Sequence, residues 1–217
     1  MTAPSISNKR RHLEISAVLL TALGKFVFMD YLHWRFPFVS VAIISWLIYI
    51  IYRHKSQAGI LQYWGFRTDN FFSVTKRVLP FGVVALIVFI AIGTYRGTIN
   101  ITWHIFPILV LYPIWGCIQQ FLLIALTAGN LQDINGLHWN KWTIILLSAV
   151  LFGAIHYPWI WLMAGTFILA LFYGFIYFRE RNIYVLGLFH GWLGALFYYT
   201  VVGRDPFLEM FGGLFGM

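Results

Sequence analysis

The fold is decided by the stretch IFPILVLYPIWGCIQQFLLIALTA, residues 105–128, which contains no charged side chain. At a rise of about 1.5 Å per residue, an α-helix of this length covers the hydrocarbon core of a bilayer, which is about 30 Å thick. Six further apolar runs accompany it, at residues 13–30, 37–52, 79–94, 142–157, 158–178 and 183–202. The sequence therefore predicts an all-α, polytopic transmembrane helix bundle of about seven spans, with eight spans as the alternative.

The composition indicates the same class of protein. Of the 217 residues 60% are hydrophobic, 20% are aromatic and only 10% are charged, and the mean hydropathy is +0.77. Soluble globular domains carry about 25% charged residues, and disordered chains are poor in aromatic residues. The single cysteine, Cys117, excludes an intramolecular disulfide. We therefore expect residues 1–217 to form one membrane domain.

The lysines and arginines predict the orientation of the chain. When the N-terminus is placed in the cytoplasm, eleven of the fifteen fall in cytoplasmic segments, Arg35, Arg96 and Arg204 fall on the other side, and Lys25 lies within the first span. Short cytoplasmic loops carry the excess of Lys and Arg in membrane proteins. We expect a cytoplasmic N-terminus and an integral protein of a bacterial or archaeal inner membrane. The net charge of +8 then reflects topology, so membrane lipids are expected partners and nucleic acid is not.

Two details of the organisation follow from local sequence. The break between the fifth and sixth runs depends on Tyr157-Pro158, because a residue before proline disfavours the α conformation; a single kinked helix is the alternative. Residues 60–67 mix aromatic side chains with a cation, which is typical of a segment lying along the cytoplasmic interface. We expect residues 1–100 to hold the N-terminal spans and this interfacial segment, and residues 101–202 to form the core.

Polar residues inside the apolar runs are the candidates for function, because each must be paired or face a water-filled cavity. Three places qualify: Gln119 with Gln120, His156, and His190. Glycine lies one helical turn apart at positions 187 and 191, and small residues at this spacing let two helices pack closely. Two imidazoles on close helices could bind a divalent metal, or hold a water and an oxyanion. The alternative is a structural role in hydrogen bonding.

The order and spacing of these residues resemble the CPBP superfamily of intramembrane proteases, which includes the type II CAAX prenyl endopeptidases and bacterial Abi-like membrane proteins. Phe152 and His156 match its FxxxH motif, and residues 186–190 match the helix that carries the second family histidine, here His190. Gln119 and Gln120 stand where the family has the glutamates of its EExxxR motif. The resemblance covers about half of the chain and makes residues 101–202 a CPBP-like core. It implies hydrolysis of a peptide bond near the cytoplasmic membrane face.

This sequence departs from the family motifs at residues that carry the chemistry. In the family the first glutamate of EExxxR is the general base, and the neutral amide of Gln119 cannot accept a proton near neutral pH. Ile124 replaces the motif arginine, and Gly194 replaces an asparagine that is common in the family. All seven acidic residues fall at span ends or in loops, so none lies in the middle of a span to replace the base.

Two functions therefore follow from the resemblance: a residual endopeptidase, or a catalytically degenerate member that binds or scaffolds a lipid, a peptide tail or a membrane protein. The residues expected to act in catalysis are His156, His190, Gln119 and Gln120. Those expected to contact substrate are Phe152 and Gly194. Whether His156 and His190 bind a divalent metal is left open, and the favoured interpretation is that they bind none. A transporter or channel is a weaker alternative, because intramembrane acids are absent.

Overall fold

The computed structural model describes residues 4–215, and this part of the chain is helical, without strands. Six of its helices are long and apolar enough to cross a membrane, so the prediction of an all-α bundle is confirmed. In chain order the helices of the described residues are α1 (Asn8–Tyr31), α2 (Arg35–Ser56), α3 (Ile60–Trp64), α4 (Phe71–Arg96), α5 (Ile105–Asp133), α6 (Lys141–Ala154), α7 (Ile160–Tyr177), α8 (Ile183–Val202) and α9 (Pro206–Phe215).

The fifth predicted span is shorter than the sequence suggested. Helix α6 has 14 residues, which cover about 21 Å and fall short of the hydrocarbon thickness. It ends at Ala154, and the chain turns through residues 155–158 before α7 begins. The predicted break at Tyr157-Pro158 is confirmed, and the alternative of one kinked helix is wrong. His156 consequently lies in the turn that follows α6.

Helices α5 and α8 are in backbone contact at the centre of the bundle. A Cβ atom added to Gly116 of α5 would overlap the Gly187 carbonyl oxygen, and one added to Gly191 would overlap the backbone of Pro113. The predicted close packing through small residues is therefore confirmed. It places His190 of α8 directly beside Gln120 of α5.

The segment predicted to lie along the membrane interface packs one of its faces against the bundle. Ile60 and Trp64 of α3 are fully buried, and the Trp64 ring packs edge-on against Phe121 at 4.9 Å between ring centroids. Gly59 and Gly65 adopt φ values of +75° and +96°, which let the chain turn into and out of this short helix. Its buried side chains lie one helical turn apart on one face, and that face packs against the spans; its position along the membrane interface stays a prediction.

A buried polar network fixes the end of the bundle at which α1 begins, which we call the N-terminal end. Glu14 is only 3% exposed and pairs with Arg53, which is 4% exposed. The same carboxylate accepts hydrogen bonds from Tyr49 and from the Asn130 amide. Because buried charges are tolerated only when paired and hydrogen-bonded, this network ties α1, α2 and α5 together.

Three stretches of the helices are wound as π-helix, at Lys25–Tyr31, Phe121–Gly129 and Tyr198–Val202. Such stretches are rare and occur frequently at functional sites. All three contribute residues to the same cavity, which lies in the half of the bundle away from the N-terminal end. The irregular helix geometry therefore marks one region of the fold.

Candidate functional site

A cavity of about 240 Å³ lies between α1, α2, α5, α6, α7, α8 and α9. Most of its wall is apolar, with side chains such as Val18, Leu122 and Leu151. Polar residues predicted from the sequence also line it: Gln119, His156 and His190, together with Phe152 and Gly194. The structure thus brings five of the six predicted site residues to one cavity, and the sixth, Gln120, lies behind its wall.

The two histidines are held by different partners. His156 Nδ1 lies 2.7 Å from the backbone oxygen of Phe152, and His190 Nδ1 lies 2.7 Å from Gln120 Nε2. The Phe152 ring contacts both imidazoles, with ring centroids 5.0 Å from His156 and 5.5 Å from His190. Phe152 therefore contacts His156 through its backbone oxygen and its ring, and His190 through its ring.

With both imidazoles neutral and the Gln120 amide turned with Nε2 towards His190, these contacts assign the ring protons. A carbonyl oxygen only accepts, so His156 Nδ1 donates to Phe152 and its Nε2 keeps a free lone pair. An amide nitrogen only donates, so His190 Nδ1 accepts from Gln120 and its Nε2 carries the proton. The pair thus offers one hydrogen-bond acceptor and one donor.

Gln120 is fully buried and serves as a structural partner of His190. Among the described residues, its buried Oε1 atom has no hydrogen-bond partner. Gln119 lines the cavity itself, and it precedes the π-helical stretch that begins at Phe121. The two glutamines that the sequence pairs therefore lie in different environments, one in the wall and one behind it.

The donor set does not fit the divalent metal that the sequence left open. Protein zinc sites use at least three side-chain ligands. Within residues 4–215, no group of three or more His, Cys, Asp or Glu side chains is placed to hold a metal ion. His156 and His190 each use Nδ1 in a hydrogen bond, so together they offer only two nitrogens.

Sequence reasoning missed the charged groups of this cavity. Asp30 lies in the cavity wall, with its Oδ2 atom 2.7 Å from Lys25 Nζ. The same ammonium group donates to the backbone oxygen of Tyr157 at 3.0 Å, beside His156. The sequence placed Asp30 at the end of a span, and only the folding of the α1–α2 connection against the α6–α7 turn brings it to the cavity.

A second carboxylate, Glu209 of α9, also lines the cavity and joins two cations. It lies 2.8 Å from Arg35 and 3.1 Å from Arg204. The Arg204 guanidinium also stacks over the Trp159 ring at 4.1 Å. The sequence shows only that these charged residues lie just outside apolar runs, and that position does not identify their partners.

Helix α9 is anchored beside the cavity by Asp205. This carboxylate accepts hydrogen bonds from Thr102 and His104 at 2.6 Å each, from Tyr199 at 3.1 Å and from the Phe207 amide at 2.9 Å. Burial alone would raise the pKa of Asp205, but these hydrogen bonds outweigh it and hold the pKa below its ordinary value. His104 therefore has a structural partner, and we assign it no role in the cavity.

The position of the cavity bears on the predicted orientation. The cavity residues come from the end of α1, the start of α2 and the end of α8, so they lie away from the N-terminal end. With a cytoplasmic N-terminus, the cavity belongs to the non-cytoplasmic half of the membrane. The predicted orientation of the N-terminus thus favours a cavity nearer the non-cytoplasmic face, and both the orientation and the side of the site stay predictions.

Comparison with known proteins does not identify a family. No protein-family model, no curated protein and no solved structure matches this chain. The resemblance of Phe152, His156 and His190 to the CPBP motifs therefore stays a prediction from the sequence.

Proposed function

We propose that the protein is a membrane-embedded binding protein, a catalytically degenerate member of the CPBP type, whose cavity receives the apolar part of a lipid or a peptide tail. The hydrogen bond between Gln120 and His190 carries this proposal. At the second glutamate position of the motif, the Gln120 amide donates to the His190 imidazole; at the first, where a peptidase of this type has its carboxylate base, the neutral Gln119 amide lines the cavity and cannot accept a proton. Within residues 4–215, neither His156 nor His190 contacts a carboxylate.

The distribution of polar and apolar groups supports an amphipathic ligand. Ligand cavities are mostly apolar, with a few placed polar groups that fix orientation. Here the apolar wall can take a hydrocarbon chain, while three cations and two acids lie at the end of the bundle near α9. Because the cations outnumber the acids, we expect the polar end of the ligand to be neutral or anionic. The cations are Lys25, Arg35 and Arg204.

The cavity can be filled to test this proposal. Gly194 lines the cavity, and a Cβ atom added there meets no atom of residues 4–215 within 4 Å, so Gly194→Leu extends into the cavity. We expect lipid or peptide that copurifies with the wild-type chain, detected by native mass spectrometry, to be lost in this variant.

The control is Gly213→Leu, since a Cβ atom at Gly213 of α9 also meets no atom of the described residues within 4 Å, and Gly213 lies outside the cavity wall. It should keep the bound ligand. A wild-type protein that carries no ligand, or an equal loss in both variants, would contradict binding in this cavity.

A residual endopeptidase is the second candidate, favoured by the complementary histidines. His156 Nε2 can accept a proton from water, and His190 Nε2 can donate to an oxyanion. Replacing a catalytic base lowers rates by about 10²- to 10⁴-fold, so slow turnover is compatible with Gln119 and Gln120.

This candidate is tested with transmembrane and prenylated test peptides, using the wild-type chain and the double variant Gln119→Glu, Gln120→Glu. If peptides are cleaved, and His156→Ala abolishes cleavage without lowering thermal stability, the peptidase replaces the binding protein as the better account. If no variant cleaves any peptide, the peptidase is abandoned.

A further inference from the structure

A second pocket, more polar and about 560 Å³ in volume, lies at the N-terminal end of the bundle. It is formed by the segment before α4, the end of α5, the start of α6 and the turn between α7 and α8. Its wall contains one acid, Glu180, and four cations: Arg67, Lys141, Arg179 and Arg181. The pocket therefore has a clear excess of positive charge.

The one acid of this pocket, Glu180, is paired with residues that lie outside the pocket. Glu180 lies 2.8 Å from Arg77 and accepts a hydrogen bond from Ser73 at 3.0 Å. Two of the pocket cations also have carboxylate partners, because Arg67 pairs with Asp69 and Arg181 pairs with Asp133. Two of the four pocket cations, Lys141 and Arg179, therefore still need to be considered.

Lys141 and Arg179 make no ion pair and no side-chain hydrogen bond within residues 4–215. Each lies over an aromatic ring: Lys141 Nζ is 5.8 Å from the centroid of Trp142, and the Arg179 guanidinium is 4.5 Å from that of Phe175. The two rings are stacked on each other at 5.7 Å. The aromatic pair thus holds two unpaired cations at the pocket without neutralising them.

We infer that this pocket binds an anionic phosphate ester through Lys141, Arg179 and the nearby amide of Gln132. Arginine and lysine are the usual ligands of phosphate oxygens in proteins. Gln132 lines the pocket, and its side chain makes no hydrogen bond within the described chain, so its amide can donate to the ligand. The ligand supplies the negative charge that the pocket lacks.

An anionic phospholipid headgroup is the source that the position favours. Tryptophan is typical of the membrane–water interface, and Trp142 is half exposed at the start of α6. Basic pockets between transmembrane helices bind anionic headgroups on the cytoplasmic side, which is the predicted side of the N-terminal end. A water-soluble phosphate ester has the same chemistry and is the other source. This inference does not depend on the function proposed for the cavity.

Calorimetric titration of the full chain in micelles of an uncharged detergent tests the inference. The probes are dioctanoyl phosphatidylglycerol, its zwitterionic counterpart dioctanoyl phosphatidylcholine, and glycerol 1-phosphate. We expect the anionic lipid to bind about tenfold more tightly than the zwitterionic lipid, and the double variant Lys141→Gln, Arg179→Gln to lose about tenfold or more of that affinity.

The matched control is Arg10→Gln, Lys55→Gln, which removes the same charges from the same end but outside the pocket. It should change the affinity by less than about twofold, because isolated surface charges contribute little. Equal losses in both double variants, or no preference for the anionic lipid, would overturn the inference. If glycerol 1-phosphate binds as tightly as the lipid and depends on Lys141 and Arg179, the site is supported and its ligand is a soluble phosphate ester.

Discussion

Replacing Gly191 with alanine should separate the two central helices. A Cβ atom at this position would lie 2.6 Å from the carbonyl carbon of Tyr112 and closer still to the backbone of Pro113. Non-bonded carbon atoms normally lie about 3.5–4.0 Å apart, so α5 and α8 would have to move by about 1 Å. The atoms in the way belong to the backbone and cannot rotate aside.

The expected loss of stability can be worked from these contacts. Overpacking of a close-packed core costs about 1–3 kcal/mol, and contact between two backbones favours the upper value. Alanine gains about 1 kcal/mol over glycine in a helix interior, which leaves a net loss of about 2 kcal/mol. For a chain of this size that loss lowers the unfolding midpoint by about 4–8 °C.

The measurement is thermal unfolding in detergent micelles, followed by tryptophan fluorescence, with Gly194→Ala as the matched control. Gly194 lies on the same helix, and a Cβ atom there meets nothing within 4 Å. Its alanine variant should keep the gain in helix propensity and unfold about 2–4 °C higher than the wild type. A Gly191→Ala protein at least as stable as the wild type would refute the close contact of α5 with α8.

Three further predictions concern buried groups. Arg53→Met should lower the free energy of unfolding by about 3–5 kcal/mol by leaving Glu14 buried and unpaired, and adding Glu14→Gln should recover part of the loss in the same unfolding assay. Asp205→Asn should remove a pH-dependent part of stability. Because the pKa of Asp205 is lowered in the folded protein, its carboxylate stabilises the fold above about pH 4 and loses that effect on further acidification. The unfolding midpoints of wild type and variant should therefore converge as the pH falls. Midpoints that change in parallel with pH would contradict this. Trp64→Ala should cost about 3–5 kcal/mol, whereas Trp142→Ala, at a half-exposed ring, should cost much less, as compared by unfolding midpoints.

The sequence predicted those site residues that are polar but lie within apolar runs. Glutamines and histidines inside apolar runs can be identified without any structure, because a bilayer span tolerates them only for a reason. Glycines at helical spacing further predicted that α8 would approach another helix, and Gly187 and Gly191 do lie against α5. The convergence of His156 and His190 followed from these two signals together.

The parts that the sequence missed depend on which helix ends meet. Glu209 pairs with Arg35 near the other end of the chain, and Lys25, which pairs with Asp30 in the same helix, also donates to the distant Tyr157 carbonyl. The buried position of Trp64 was missed for a related reason, since an aromatic residue beside cations is as typical of an interface as of a core. Long-range contacts decide both cases, and one sequence contains no record of them.

The π-helical stretches have a consequence for aligning this chain with related sequences. A π turn closes its hydrogen bond over one residue more than an α turn. Deleting one residue from Phe121–Gly129 would therefore convert a π turn to an α turn, and the side chains of the flanking turns would keep their directions. The same deletion in a regular α-helix would rotate all the side chains that follow it. Alignment gaps of a single position should be accepted there, even though they interrupt an uncharged segment in which gaps are normally penalised.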